Sequence, residues 1–399
     1  MPIGPQGSTY QGDLVERYFE NLLPDNRTIR QRIRQRFGAK SDGAFDLLAE
    51  IGRDCVGAIQ LTLEDHAPDV RKIDASPIHH GAIADLLRKT TNAPTLGRQD
   101  DDDLRFSLAG AQEKTALLRL DGQWMRPGGA TPTTHILKLP IGEAAQGIDL
   151  SSSIENEWLC AQILQAYRID VASCWMDRFG DQRVLVVERF DRRLSADGSW
   201  ILRLPQEDLC QATGTDREHK YEADGGPGIE KIMDILLGGT RPEEDRLDFF
   251  RTQILFWMLC AIDGHAKNFS LYLEARSRYR LTARYDVMSA FPVLGKKAGQ
   301  LSPNKVKMAM AVQSDKNRHY HWNSILPHHW RAMARRCGLA TQFGALADDL
   351  IERTPEVIAQ IETALPRGFP ASVSEPILKG LRASAKHWAS AEAAESRVK

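Results

Sequence analysis

The sequence predicts an α+β fold of two lobes, a mixed N-terminal part built on an antiparallel sheet and a mostly helical C-terminal part. Three observations predict it. Short segments of alternating polarity cluster between residues 104 and 140, and Asp121-Gly122 stands between two of them as a hairpin turn. Helical periodicity dominates from about residue 192 onward. The longest apolar run, Ile254 to Ile262, is well below the ~18 residues of a membrane span and reads as a core helix.

The elements follow in order. Leu14, Val15, Tyr18, Phe19, Leu22 and Leu23 recur at helical spacing, and Asp25-Asn26 caps a second helix from Arg27 to Phe37. That helix carries Arg27, Arg30, Arg32, Arg34 and Arg36. Arg27, Arg30 and Arg34 are three and four residues apart, so they are expected on one exposed face, solvated rather than phosphate-bound. Residues 66–103 read as a polar connector with one helix around Ala82 to Lys89, ending in the acidic run Asp100 to Asp103. LRFSL, KTALLRL, QWMRP and THILKLP then supply the strands. Ser152 and Glu155 have capping-box spacing ahead of a helix whose apolar face is Ile154, Trp158, Leu159, Ile163 and Leu164. RVLVVERFDR reads as a buried strand, and the tail beyond Ala385 is expected to fray.

With 399 residues, 42% hydrophobic and 26% charged, the chain has the makeup of a soluble globular protein with room for two domains. A formal net charge of −1 gives no global attraction to nucleic acid or membrane, so any such role rests on local patches. None of the six cysteines forms a C-x-x-C pair, which reads as reduced core residues. The N-terminus shows no basic stretch leading into an apolar one, so a cytoplasmic protein is expected.

The chemistry concentrates in Asp263-Gly264-His265-Ala266-Lys267-Asn268, directly after the apolar helix. This D-x-x-x-x-N spacing is that of kinase catalytic loops, where the Asp accepts the proton of the acceptor hydroxyl and the Asn ligates a metal on the ATP phosphates. Alone the pattern is common and also describes a capped loop. Two strand-like segments, FSLYLEA and RYRLTARY, then deliver a second acid, Asp286, eighteen residues beyond the Asn, in the place of a metal-binding carboxylate. Upstream, Lys138 in HILKLP is a charge on an apolar strand, costly to bury unless an anion meets it. Glu155 or Glu157 in the next helix is available as its ion-pair partner. Residues 107–115, SLAGAQEKT, link two strands with small residues that let backbone N–H groups approach phosphate.

The segments SLAGAQEKTALL, TPTTHILKLP, VVERFDRR, LRLPQEDLCQ, KYEADGGPGI, DGHAKNFS and YDVMSAFPVL closely resemble the HipA family of serine/threonine kinase toxins, from about Phe19 to Ile377. The resemblance implies a bilobal kinase-like fold related to lipid kinases. Its expected divisions are a partial N-terminal subdomain at 1–65, an ATP-binding lobe at 66–190 and a catalytic domain at 191–399. It also implies a role for each matched residue. Asp263 is similar to the family's catalytic base. Asn268 and Asp286 are similar to its Mg2+ ligands. Lys138 matches the ATP-contacting lysine, and Ala109, Gly110, Ala111, Gln112, Glu113 and Lys114 match the phosphate loop. Glu188, Arg189 and Phe190 match the adenine hinge, while His265, Ala266, Lys267 and Tyr285 line the nucleotide site. Ser107 matches the serine whose autophosphorylation silences the enzyme.

The implied substrates are ATP and a protein serine, with glutamate–tRNA ligase the acceptor associated with the family. The implied partners are a HipB-like helix-turn-helix antitoxin dimer and, through it, operator DNA; no membrane partner is implied. The sequence departs from the family at its start. Members usually open with several strands before the segment matching VERYFENLLPDN, where about thirteen residues stand here. Two other readings compete with a protein kinase. One is a DNA-bound co-repressor using the Arg27–Arg36 helix and Arg331, Arg335 and Arg336. The other is a small-molecule kinase on the same scaffold.

Overall fold

The computed structural model of the chain describes residues 7–63, 67–91, 108–109, 112–144 and 147–398. It is α+β, as the sequence predicts, and divides into two compact units that are each discontinuous in sequence. One holds residues 1–140, 172–218 and 270–277; the other holds 141–171, 219–269 and 278–399.

The first unit opens with three helices, α1 (Asp13–Glu20), α2 (Arg27–Phe37) and α3 (Ala44–Ile51). Asn26 caps α2 by accepting the Thr28 and Ile29 N–H groups, and Gly38 ends it at φ +72°, a left-handed conformation that costs glycine little. Leu22, Leu23, Leu47, Leu48, Ile51 and Cys55 form the core beneath them. The arginine helix departs from expectation at Arg30, which is only 3% exposed. Its guanidinium bonds Glu20 Oε2 at 2.6 Å and the Pro24 carbonyl at 2.6 Å. Arg30 follows Ile29 on the side of α2 that packs inward, so the charge is buried together with its counterion rather than solvated. The side chain of Arg27 is 83% exposed and that of Arg34 48%, as predicted for those two.

A six-stranded antiparallel sheet follows, in the order β1 (Ala75–Pro77), β3 (Gln123–Pro127), β2 (Lys114–Leu120), β4 (His135–Lys138), β8 (Gln182–Glu188) and β7 (Cys174–Phe179). Asp121 (φ +48°) and Gly122 (φ +80°) turn β2 into β3, both with the positive φ of a type I′ hairpin. Helix α4 (His80–Thr91) lays Ile83 and Leu87 on Leu117, Leu137, Phe179, Val184 and Val186 of the sheet. The short pair β9 (Arg192–Leu194) and β10 (Ile201–Arg203) comes next, then β11 (Gln206–Asp208) paired to β12 (Ser270–Glu274). Helix α6 (Leu209–Thr213) is closed by a capping box between Asp208 and Gln211.

The second unit contains the hairpin β5 (Gly142–Ala144) and β6 (Ile148–Leu150), then α5 (Ser153–Ala166). The capping box expected at Ser152 is not formed: Ser152 makes no side-chain cap bond, and the neighbouring Ser153 hydroxyl accepts the Ile141 N–H instead, at 3.0 Å. Helices α7 (Ile229–Leu237) and α8 (Pro242–Met258) precede the strand β13 (Arg278–Leu281) and the hairpin β14 (Lys307–Ser314) and β15 (Asn317–His321). Three helices close the chain: α9 (Pro327–Arg336), α10 (Phe343–Ala364) and α11 (Ala371–Val398). Where fraying is expected beyond Ala385, α11 continues through Val398. Trp388 is buried, and Glu392 and Glu395 bind Arg331 at 2.7 and 2.9 Å. Among the described residues no helix is long and apolar enough to cross a membrane.

Candidate active site

The catalytic-loop candidate begins where α8 runs out. Phe249, Phe250, Ile254, Leu255 and Phe256 bury this helix, so its C-terminal end is rigidly placed. The exit turn places Cys260 at φ +49°. Ser289 braces it: its hydroxyl donates to the Leu259 carbonyl at 2.6 Å, and the Asn156 amide bonds both its N–H and its carbonyl. Gly264 is required by close approach, since a Cβ there would lie 2.4 Å from the Phe256 ring.

Within the loop the backbone folds onto itself. His265 N–H donates to the Asp263 carbonyl at 2.8 Å, and Asn268 N–H donates to the His265 carbonyl at 2.9 Å. The Asn268 side chain is only 6% exposed, and its Nδ2 donates to the Asp263 carbonyl at 2.8 Å. That bond commits the donor end of the amide to the loop and leaves Oδ1 as its acceptor end. The Asp263 side chain is 57% exposed. The D-x-x-x-x-N spacing thus yields an outward carboxylate over a buried amide, tied by one backbone carbonyl.

Asp286 is delivered from a strand end held by Arg284. Arg284 is 2% exposed, binds Asp248, donates to the Thr282 carbonyl at 2.7 Å, and its N–H reaches the Asp170 carbonyl at 2.7 Å. Asp286 itself sits at φ +59°, a strained position that Asp tolerates better than most residues and that often marks a functional site. Tyr285 bonds the Lys267 carbonyl through its hydroxyl at 2.8 Å, tying the Asp286 segment to the catalytic loop. Burial pushes the pKa of His265 down, and the carboxylates of Asp263 and Asp286 both act against that shift. His265 Nε2 lies 4.0 Å from Asp263 Oδ1, and Ala266 and Lys267 are buried next to it in the loop.

In the first unit, Lys138 is 6% exposed on β4, in register with Lys114 and Leu185. Of the residues expected in a phosphate loop, Gly110 and Ala111 lie outside the described residues, as does Ser107. Gln112 Nε2 donates to the Leu139 carbonyl at 2.5 Å, Lys114 Nζ to the Ala109 carbonyl at 2.6 Å, and Glu113 pairs with Arg32. Burial raises the pKa of Glu113 despite that pairing.

Glu188 ends β8, and Arg189 N–H donates to the Thr134 carbonyl at 2.9 Å. The Arg189 side chain turns into a buried ion cluster with Asp54 and Asp191. The Phe190 carbonyl accepts the Tyr272 hydroxyl at 3.0 Å. The basic residues of α9 divide: Arg331 pairs with Glu392 and Glu395, Arg336 with Glu230 at 3.0 Å, and Arg335 is exposed.

The sequence assigns no role to Tyr221, yet its hydroxyl donates to Asp263 Oδ1 and its ring stands edge-on to His265. The signals for it are its place in KYEADGGPGI, one of the segments that carry the family resemblance, and its position just ahead of the glycine-rich turn Gly225 to Gly228.

A family model described as the HipA-like C-terminal domain matches residues 106–360, and one described as the HipA N-terminal domain matches residues 1–62. The Sinorhizobium fredii protein Y4mE, named as a kinase, is 30% identical over 352 residues, spanning 86% of this chain and 78% of Y4mE. The serine/threonine-protein kinase toxin HipA of Shewanella oneidensis is 23% identical over 381 residues, spanning 92% of this chain and 81% of its own. The fold matches that of the Shewanella oneidensis HipA, HipB and operator DNA complex with a TM-score of 0.78 at 23% identity, covering 98% of this chain and 88% of that one. A family model spanning more than half of the chain, together with kinase-named relatives along most of its length, places it: the chain is a kinase and belongs to the HipA family.

Proposed function

We propose that the chain is a toxin that phosphorylates a serine of a protein, with Asp263 as general base. The observation that carries the reading is the loop in which an exposed Asp263 carboxylate stands over the buried Asn268 amide. The acceptor Oγ–H gives its proton to Asp263 as the Oγ–P bond forms. The bond from the γ-phosphorus to the bridging oxygen breaks, and ADP leaves with that electron pair. Lys138 is the lysine assigned to the ATP phosphates, and the backbone of Glu188 to Phe190 is assigned to adenine.

The donors fit a hard divalent cation. Asn268 offers an amide oxygen and Asp286 a carboxylate, both oxygen ligands of the kind Mg2+ takes. Among the described residues no three His, Cys, Asp or Glu side chains form a cation cage. That suits Mg2+, which keeps waters and substrate phosphates rather than filling an all-protein site. When bound, the ion neutralises charge on the phosphates. Asn268 and Asp286 are the residues that would hold it.

Glutamate–tRNA ligase is the proposed acceptor, and Ser107 the proposed site of self-inactivation. A phosphoserine there adds roughly −1.5 to −2 charge beside the loop assigned to the triphosphate. A HipB-like antitoxin and operator DNA are the proposed partners; the Shewanella oneidensis relative forms such a complex. The ion pairs of Arg331 and Arg336 weigh against a role resting mainly on DNA contacts from α9. The test is transfer of labelled phosphate from Mg-ATP to purified glutamate–tRNA ligase. Labelling by the wild type, with the rate lowered ~10²- to 10⁴-fold but still measurable in Asp263→Asn, supports the reading. Labelling only of a small-molecule pool overturns it in favour of a metabolite kinase.

A further inference from the structure

An exposed carboxylate on a loop turn rotates freely unless something holds it, and a base that rotates spends little time aligned with its acceptor. The structure supplies such a restraint at Tyr221. Its hydroxyl donates to Asp263 Oδ1 at 2.5 Å. Its ring stands edge-on to the buried His265, centroids 5.1 Å apart at 82°, and the Lys220 ammonium lies 5.6 Å from the ring centroid.

Tyr221 is not carried on a loose loop. The Ala266 N–H of the catalytic loop donates to the Lys220 carbonyl at 3.4 Å. The next residue, Glu222, accepts the Ala311 N–H of β14 at 2.7 Å and meets Arg318 of β15 at 3.7 Å. Gly228 leaves room for that carboxylate, because a Cβ there would lie 2.2 Å from Glu222 Cδ. The segment is thus fastened on one side to the catalytic loop and on the other to the β14–β15 hairpin.

We propose that Tyr221 is a positioning residue for phosphotransfer, which occupies Oδ1 of Asp263 and so presents Oδ2 to the acceptor hydroxyl. The proposal rests on the reading of Asp263 as the base. The acceptor proton passes to Oδ2 as the oxygen–phosphorus bond forms and ADP departs. Tyr221 keeps its own proton throughout, since a phenol is a far weaker acid than a carboxylic acid. A neutral donor that persists from ground state to transition state acts on geometry, so its removal is expected to lower kcat and leave ATP binding alone.

The experiment uses the full chain with saturating Mg-ATP. The acceptor is the protein most strongly labelled by the wild type in a cell extract, then purified. Tyr221→Phe removes only the hydroxyl and retains the ring against His265. Its kcat is expected to fall ~10- to 100-fold, the range for a lost hydrogen bond to a charged group. The KM for ATP and the thermal unfolding midpoint stay at wild-type values. In an Asp263→Asn background the same substitution produces no further loss, because the partner it orients is already gone. An unchanged kcat overturns the proposal, as does an equal loss in the Asp263→Asn background, which marks a merely structural role. A raised kcat also overturns it, since Tyr221 would then block the base. A wild type that labels nothing, or an Asp263→Asn variant of full activity, defeats the base reading itself and is distinguishable from all of these.

Discussion

Replacing Asp54 by Asn should destabilise the first unit more than any surface change. Asp54 is 5% exposed and accepts Arg189 at 3.1 Å, Arg192 at 2.9 Å and Arg203 at 3.3 Å. Thr133 adds its hydroxyl at 2.6 Å and its N–H at 2.9 Å. Asp191 is the second carboxylate, binding Arg189 at 2.9 Å, Arg192 at 3.0 Å and the Gly57 N–H at 2.7 Å. Burial alone would push the Asp54 pKa up, but Arg192, Arg189 and Arg203 together hold it below the ordinary carboxylate range. Two carboxylates face three guanidiniums, so the cluster already carries one net positive charge; Asn raises that to two in a site closed to water. Breaking a buried pair from one side costs about 3–5 kcal/mol. The measurement is urea unfolding of wild type and Asp54→Asn, with hydrogen exchange along β8 to locate the loss. Asp348→Asn, at an exposed position of α10, serves as the comparison and should stay within ~0.5 kcal/mol. A loss for Asp54→Asn below ~1 kcal/mol, or exchange unchanged at β8, would refute the reasoning. Because Arg189 adjoins both Glu188 and Phe190, ATP affinity should weaken in the same variant.

Other expectations follow from the same geometry. Gly264→Ala forces a methyl group against the Phe256 ring, so it should cost about 1–3 kcal/mol and abolish transfer by displacing Asp263; thermal melts and labelled-ATP assays check both. His135 is buried between Trp124 and Trp175, and burial first, then Arg119, pull its pKa down from 6.5 to about 4. A depressed histidine contributes stability that is complete above its unfolded pKa of about 6.5 and is lost as pH falls toward 4. Unfolding free energy should therefore drop by roughly 3 kcal/mol across that window in the wild type, and less in His135→Phe. Arg30→Ala should cost about 2 kcal/mol, with Glu20 retaining Arg217 at 3.2 Å, while Arg27→Ala should be nearly silent by the same urea assay.

Much of this was legible from residues. The two positive φ angles at Asp121-Gly122 are what an Asp-Gly pair between alternating strands demands. The Asp263–Asn268 spacing was readable because one backbone carbonyl joins the two residues, a local constraint that sequence distance records. Arg30 was not, since its burial depends on Glu20, ten residues away, and on which side of α2 packs inward. The capping-box spacing at Ser152 was present without the bond, because Ser152 sits at φ −96°, ψ 18° rather than in the extended conformation from which an N-cap side chain reaches back. Tyr221 lies 42 residues before Asp263, and nothing in either local pattern joins them. Nor does periodicity disclose that residues 270–277 fold with the first unit while 278–399 fold with the second.

The most direct test of the central claim compares the phosphoproteomes of cells expressing the wild-type chain and Asp263→Ala at equal level. New phosphoserine or phosphothreonine sites on a cellular protein in the first, absent from the second, are the predicted result. The same phosphosites in both would show that transfer does not depend on Asp263, contradicting its assignment as the base.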